Sequence, residues 1–593
     1  MDFRNTGQQE KSLVSRSNHV PEVLAGVSLL LILFVTLSLS ASLQKSPTAD
    51  ENFHLVAGYS YLKWGDYRIN PEHPPFAKLL AALPLLALDI DDVPLVRERR
   101  DKVQANGKYG WLLANQWLFS SNDAETLFYY AKLPLLALGT ILAILVFCWA
   151  NELYGLSAAF AALAIYVVDP NILAHSPIIH TDVPFALTLF GSIYFFWRIL
   201  REMTWFNWAG TVIFFSLSTV TKFSFLMIPL VWGLLGIIKA LSSDPLPSKI
   251  TSALLIEGFW TKLSCVAAIV VSAALLAYFT IWATYEFRYE AVTGQGGVLE
   301  VGASAEHSPC LISLIQFNNA YRLLPEAWFG GLIYALSSFN RPAYLLGEIS
   351  QEGFWLYFPI AFAVKTPLPT LILLVLSFVT CLSRSRRHRL DVSVLVIPVL
   401  AFFFLAVHSR MNIGLRHILP IYPFLFTWIG VSVATLWDSQ STVKRCGVIV
   451  LGIWLLGTTL RCYPNYLAYF NETVDRSKAH EILVDSNLDW GQDLKALKQW
   501  MDHRGMRKIQ LAYFGTADPA YYGINAIHKT GTWSTVLSNP RITNDTQVPP
   551  YIAISATHLV GVYLGSPNPY ARFLLKKPVA TIGHSILIYR MDN

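Results

Sequence analysis

Asp50-Glu51-Asn52-Phe53-His54, and soon after it Asn70-Pro71-Glu72-His73-Pro74-Pro75-Phe76-Ala77-Lys78, follow closely on Val23–Gln44, a run with no charged residue. About 20 consecutive apolar residues span a bilayer as a helix, so the run reads as a membrane anchor. The carboxylates, histidines and lysine then stand just beyond its end. Outward from this point the chain stays apolar: 54% of its 593 residues are hydrophobic and 14% are charged. Soluble domains carry about 25% charged residues, and a mean hydropathy of +0.43 fits a polytopic helical membrane protein. The formal charge of +6 gives no case for nucleic-acid binding. Lysines and arginines at a membrane surface account for it.

Further spans are expected near 126–150, 156–174, 184–201, 206–221, 224–240, 263–284, 366–383, 391–407, 415–436 and 444–461, which makes about eleven transmembrane helices. An uncleaved anchor fits 23–44 better than a signal peptide, whose apolar core is usually about 7–15 residues. The basic run Arg384-Ser385-Arg386-Arg387-His388-Arg389 marks a cytoplasmic loop. Arg198, Arg201, Lys239, Lys249, Lys444 and Arg445 then fall on the same side. The N-terminus is expected inside and the C-terminus outside, with 45–125 and 285–352 as outer loops. Leu55–Leu62 and Phe76–Leu88 read as interfacial helices, and Trp64, Tyr67, Trp111 and Trp117 fit headgroup depth. From 462 to 593 the apolar runs shorten. Lys508–Phe514, Tyr551–Ser555 and Ser585–Tyr589 read as strands and Asp493–Met501 as a helix, giving a small extracytoplasmic α/β domain beyond the transmembrane part, 1–461.

Moving a sugar off a phosphate carrier needs a base for the attacking group and cations or a metal for the departing phosphate. Asp50 or Glu51 is a candidate base, and His73, Lys78 and Arg68 are candidate phosphate contacts. Glu72 is a candidate metal ligand or acceptor contact, and His54 lies within the same cluster. Asp50 and Glu51 also suit the N-terminus of a helix starting near Phe53.

This pattern, an Asp-Glu pair at the end of span one followed by His-Pro-Pro-x-x-Lys, resembles the GT-C glycosyltransferases. It is similar above all to the protein O-mannosyltransferases and to the lipid A aminoarabinose transferases with their Glu-Lys-Pro-Pro variant. The resemblance implies a dolichyl- or undecaprenyl-phosphate sugar donor and transfer with inversion. It implies Asp50 as base with Glu51 beside it, Glu72 as the glutamate before Pro-Pro, and Lys78 as the lysine after it. His73 stands where the aminoarabinose transferases carry a phosphate-binding lysine. The expected activity is hexosyl or pentosyl transfer to a protein, lipid or glycan acceptor, in a bacterial cytoplasmic membrane. A divalent metal is a possible cofactor, since the class includes members that use one.

His175-Ser176-Pro177-Ile178-Ile179-His180-Thr181-Asp182 resembles the second outer acidic position of that class, though Asp182 also suits a helix cap. Lys222 and Lys365 suit a phosphate or snorkelling to the headgroups. His408–His417 packs Arg410, Asn412 and Arg416 into a short turn. Arg416 suits a phosphate through its planar fork, or a headgroup. The tail segment Asp485–Asp493 carries carboxylates and Trp490, residue types that contact sugars, while Asp489 also suits a cap of the following helix. Cys310 and Cys462 leave a bridge open, and Asn471 and Asn544 head N-glycosylation patterns. A transporter or flippase is the alternative reading. It expects internal repeats and midplane charges, whereas the charges here gather at one set of helix ends.

Overall fold

The computed structural model describes residues 20–91, 107–250, 255–292, 308–337, 341–382, 389–532 and 549–591. The basic marker at 384–388 and the Asn544 pattern lie outside them. The first part is helical: α1 (Val20–Leu43), α2 (Glu51–Trp64), α3 (Phe76–Ala82), α4 (Gly107–Phe119), α5 (Ala124–Tyr154), α6 (Leu156–Val168), α7 (Pro170–His175), α8 (Asp182–Arg201), α9 (Trp205–Thr219) and α10 (Met227–Leu241). It continues with α11 (Phe259–Thr284), α12 (Pro309–Tyr321), α13 (Glu326–Ser337), α14 (Tyr357–Lys365), α15 (Leu368–Leu382), α16 (Arg389–His408), α17 (Tyr422–Asp438) and α18 (Thr442–Cys462). The protein is an integral membrane protein. Among the described residues eight helices are long and apolar enough to cross a bilayer, or nine if the bent pair α14–α15 counts as one.

Each of the eleven expected spans falls mostly on helix among the described residues, yet α6 has 13 residues and α9 and α15 have 15 each. These fall short of the ~20 that a perpendicular crossing needs. Breaks in the chain explain two of them. Asp169 accepts the N–H groups of Asn171 and Ile172 and starts α7 on Pro170, which interrupts the expected 156–174 helix. At Thr366-Pro367 the chain bends by 111° between α14 and α15, where proline supplies no N–H to continue the ladder. The bundle centres on α8 and α17, both almost wholly buried. Gly430 lets α17 approach α6 closely, since a Cβ there would lie 2.5 Å from the Ala158 carbonyl oxygen.

Between α1 and α5, the segments α2 to α4 pack as protein interior. Tyr67 and Trp117 are buried, which corrects their expected place among headgroups. Tyr67 stacks on Tyr61 and donates to the Thr284 carbonyl, while Trp117 packs on Tyr59. Gly58 permits the α2–α3 contact, since a Cβ there would sit 2.1 Å from the Lys78 carbonyl oxygen.

Beyond α18 come α19 (Leu494–His503) and five strands: β1 (Ile509–Ala512), β2 (Ala526–His528), β3 (Tyr551–Ser555), β4 (Ala580–Ile582) and β5 (Ile586–Arg590). They form one sheet in the order β2-β1-β3-β5-β4. β1 pairs in parallel with β2 and β3, and β5 pairs antiparallel with β3 and β4. This small α/β unit docks where α2 and α8 begin and where α18 ends. Cys310 and Cys462 are free thiols.

Candidate active site

Four separate stretches meet at the start of α8. Asp50, on the last turn before α2, makes no side-chain bond to that helix, so it does not act as a cap. Its Oδ2 faces Arg416 Nη2 at 3.3 Å and His180 Nε2 at 3.6 Å. Arg416 Nη1 lies 2.8 Å from His180 Nε2. A guanidinium only donates, so the His180 proton belongs on Nδ1, which is 2.9 Å from Asp182 Oδ2. Asp182 Oδ1 takes Lys222 Nζ at 2.6 Å. Asp182 is thus bound up in ion pairs rather than capping α8, and Lys222 points inward to it instead of snorkelling. The side chain of Asp50 is 30% exposed, against 1% for Glu51 and 3% for Asp182. Of these three carboxylates Asp50 is the open one.

Glu51 does something different from its neighbour. Its Oε2 accepts the Thr48 N–H at 2.7 Å and the Thr48 hydroxyl at 3.1 Å. Its Oε1 accepts the Ile179 N–H at 3.1 Å and faces Lys132 Nζ at 3.5 Å. Both oxygens are engaged by backbone and by a buried ammonium. Glu51 ties the start of α2 to the turn carrying His180.

Lys78 is engaged in the same way. Its buried ammonium donates to Tyr61 Oη, the Asn70 carbonyl and Oδ1, and the His73 carbonyl, at 2.6 to 3.0 Å. Three N–H groups have four acceptors, so Lys78 holds the 70–73 loop and turns no hydrogen toward a ligand. Arg68 forms a fork with Asp66 at 2.9 and 3.0 Å and is likewise committed. Asn412 Oδ1 accepts the Phe354 N–H at 2.6 Å and its amide donates to the Ser409 carbonyl, which makes it a loop brace. Lys365 donates to the Leu467 and Asn487 carbonyls. Glu72 accepts from Asn70 at 3.1 Å, and burial raises its carboxyl above the ordinary range.

His54 and His73 do reach the cluster. The His54 ring lies 4.6 Å from that of His180 and 5.3 Å from that of His73. Burial, with the nearby cations, pushes both His54 and His73 well below their usual pKa, so both are neutral. Ring nitrogens of His54, His73 and His180 lie within 4.8 Å of one another, a possible three-histidine metal site, and His54 Nδ1 has no partner. The third ligand does not fit as it stands. Arg416 holds His180 Nε2 and Asp182 stands at Nδ1, whereas a metal needs a free lone pair at about 2.0–2.1 Å.

Sequence reasoning missed two members of the cluster. His180 stands beside Asp182 in sequence, and that adjacency is the signal that could find it. Trp490 in sequence suggests only a sugar-contacting type. Its indole lies under the Arg416 guanidinium at 4.2 Å and edge-on to His180 at 5.8 Å. Asp489 is not the cap of α19. Its carboxylate accepts the Thr557 N–H at 2.9 Å, and burial raises its pKa to about 8. Asn471 is buried, with its amide donating to the Ala363 and Thr366 carbonyls, so its glycosylation pattern is closed to modification in the folded chain.

Residues 126–276 match a protein family described as dolichyl-phosphate-mannose-protein mannosyltransferase. No curated protein matches the chain significantly. Among solved structures, ArnT from Cupriavidus metallidurans bound to undecaprenyl phosphate is 12% identical with a TM-score of 0.46, over 96% of this chain and 98% of that one. The Archaeoglobus fulgidus oligosaccharyltransferase in complex with Zn and sulfate is 10% identical with a TM-score of 0.44, over 90% and 68%. The S. cerevisiae protein O-mannosyltransferase Pmt1-Pmt2 complex bound to the sugar donor is 15% identical with a TM-score of 0.34, over 48% and 37%. Likenesses this distant carry no argument about the site.

Proposed function

We propose that this chain is a GT-C type glycosyltransferase that moves a sugar from a polyprenyl-phosphate carrier to an acceptor hydroxyl, amine or amide at one face of the membrane. Two non-overlapping sequence signals agree on it: the motif at 50–78 and the match over 126–276. The observation that carries it is the Arg416 fork beside Asp50, the one open carboxylate among Asp50, Glu51 and Asp182, at the ends of membrane helices. A transporter reading is not favoured, because these charges converge at one end of the helices.

In this reading Asp50 takes the proton of the acceptor nucleophile as it attacks the anomeric carbon. The bond from that carbon to the phosphate oxygen breaks with its electron pair going to the phosphate, and polyprenyl phosphate departs. A carboxylate acting as base rather than as nucleophile suits a single displacement, which inverts the anomeric centre. Arg416 and Lys222 supply positive charge to the leaving phosphate. Asp182 and His180 fix those cations, and Glu51 and Lys78 hold the backbone on which Asp50 and His73 sit. A divalent ion at His54, His73 and His180 would add Lewis-acid charge to the phosphate. With His180 engaged by Arg416, the steps here run through none. The site end faces outward in this reading. Arg198, Arg201, Lys239, Lys444 and Arg445 lie at the opposite ends of their helices, the arrangement expected of a cytoplasmic face.

The test is transfer from a panel of radiolabelled polyprenyl-phosphate hexoses and pentoses by detergent-purified protein supplied with membrane extracts as acceptor source. Label moving from the carrier in wild type, and not in a folded Asp50→Asn variant, is the expected result. Equal transfer by both removes Asp50 as base, and turnover of no donor removes the enzyme reading.

A further inference from the structure

The segment Asp485–Asp493 of the α/β unit runs as a strap across the cluster, and its bonds fall in two groups. At one end Ser486 Oγ donates to the Ile413 carbonyl at 2.7 Å, and Asn487 Oδ1 accepts the Leu415 N–H at 2.9 Å. Those residues immediately precede Arg416. At the other end the Trp490 carbonyl accepts the Ala49 N–H at 2.8 Å, and the Gln492 carbonyl accepts the Ser46 N–H at 3.0 Å. Those residues immediately precede Asp50. Gly491 makes the turn between Trp490 and Gln492 at φ +86, and a Cβ there would lie 2.7 Å from Gly515 Cα, so both conformation and space call for glycine. Trp490, 2% exposed, lies in the middle with Arg416 over its face at 4.2 Å.

Resting on the glycosyltransferase reading, we propose that Trp490 is a positioning residue for the transfer: its indole face holds the Arg416 guanidinium in the plane that directs one nitrogen to His180 and the other toward Asp50. The soluble unit thereby completes the site rather than merely standing beside it. A flat aromatic face suits this task, because it orients a guanidinium without consuming its N–H donors. The hydrogens not turned to His180 and Asp50 are left for a phosphate. An aliphatic residue fills the volume and loses the orientation.

The experiment is binding of radiolabelled undecaprenyl or dolichyl phosphate to the full-length protein in detergent, with Trp490→Leu, Trp490→Phe, Arg416→Gln and the Trp490→Leu/Arg416→Gln double variant. Trp490→Leu is expected to weaken binding about 30-fold, which is a desolvated cation–π contact of ~2 kcal/mol converted at 1.4 kcal/mol per tenfold. Trp490→Phe keeps a face and restores most of it. On top of Arg416→Gln the leucine change is expected to add nothing, the signature of two residues acting as one. Wild-type binding by Trp490→Leu, or fully additive losses, overturns the proposal. The same proteins are also compared by thermal unfolding without ligand. If wild type binds neither undecaprenyl nor dolichyl phosphate, the glycosyltransferase reading fails. The unfolding cycle then still decides the clamp: coupling between 490 and 416 upholds it and strict additivity overturns it.

Discussion

Asp50 and Glu51 are adjacent in sequence and opposite in predicted behaviour, and the contrast can be worked from the contacts. Glu51→Gln keeps the shape but replaces one oxygen with an NH2 group. The two oxygens of Glu51 serve the Thr48 N–H and the Ile179 N–H, so either orientation of the amide sets a donor against a buried donor. A buried donor left without an acceptor costs about 1–3 kcal/mol. Lys132, with a side chain 6% exposed, loses its carboxylate as well. Removing one partner of a buried pair costs about 3–5 kcal/mol, here reduced because Lys132 still donates to Ser42 Oγ at 3.0 Å and the pair distance is long. A total of roughly 3–5 kcal/mol is a large share of a typical folding free energy. Asp50→Asn disturbs none of the bonds of α2 but removes the charge facing buried Arg416 at 3.3 Å. Asp50 is 30% exposed and Asp182 stays 3.8 Å from that guanidinium, so the loss is about 1 kcal/mol, well below that of Glu51→Gln. The assay pairs thermal unfolding of the detergent-solubilised protein with sugar transfer. Glu51→Gln is expected to unfold well below wild type while the folded fraction keeps its specific activity. Asp50→Asn is expected to unfold close to wild type and transfer nothing. A Glu51→Gln protein that is stable and inactive would refute the division of labour, because it would make Glu51 the chemical group.

Other outcomes follow from the same contacts. Arg416→Lys keeps the charge but cannot reach His180 and Asp50 together; losing one charged hydrogen bond of about 1.5–3 kcal/mol lowers kcat/KM for the donor roughly 10- to 150-fold, whereas unchanged kinetics would show the fork to be idle. Asp489, with its pKa raised to about 8 by burial, binds a proton in the folded chain that the unfolded chain releases near pH 4, so stability is lost as pH rises from there through about 8. His54 and His73, held low by burial, act oppositely and only below about pH 6.5. The gap in unfolding temperature between Asp489→Asn and wild type should therefore widen in favour of the variant from pH 6.5 to 8, and a constant gap contradicts the assignment. Removal of divalent ions with a chelator is expected to leave transfer intact while Arg416 holds His180. Loss of activity restored by zinc would show that the three histidines form a metal centre.

The membrane character was legible because it rests on composition and on long charge-free runs, which need no tertiary information. The cluster at 50–78 was legible as a location but not as an assignment of roles. One step along a helix turns a side chain by about 100°, and here that step separates Asp50, facing an opening, from Glu51, facing Thr48 and Ile179. Lys78 is a related case: a lysine near a membrane surface reads as a phosphate ligand, and only the folded loop shows Asn70 and His73 accepting its hydrogens. Breaks at Asp169-Pro170 and Thr366-Pro367 carried proline signals that the hydropathy runs overrode. The strap could not be read at all. Its contacts join 486–492 to 46–49 and 413–415, and neither periodicity nor a local motif encodes a pairing across such separations.

The most direct test of a single displacement with Asp50 as base is the anomeric configuration of the transferred sugar, determined by NMR on product made from a donor of defined anomer. The opposite anomer in the product is what Asp50 acting as base predicts. A product that retains the donor's configuration would require a second nucleophile at the site and would contradict the account.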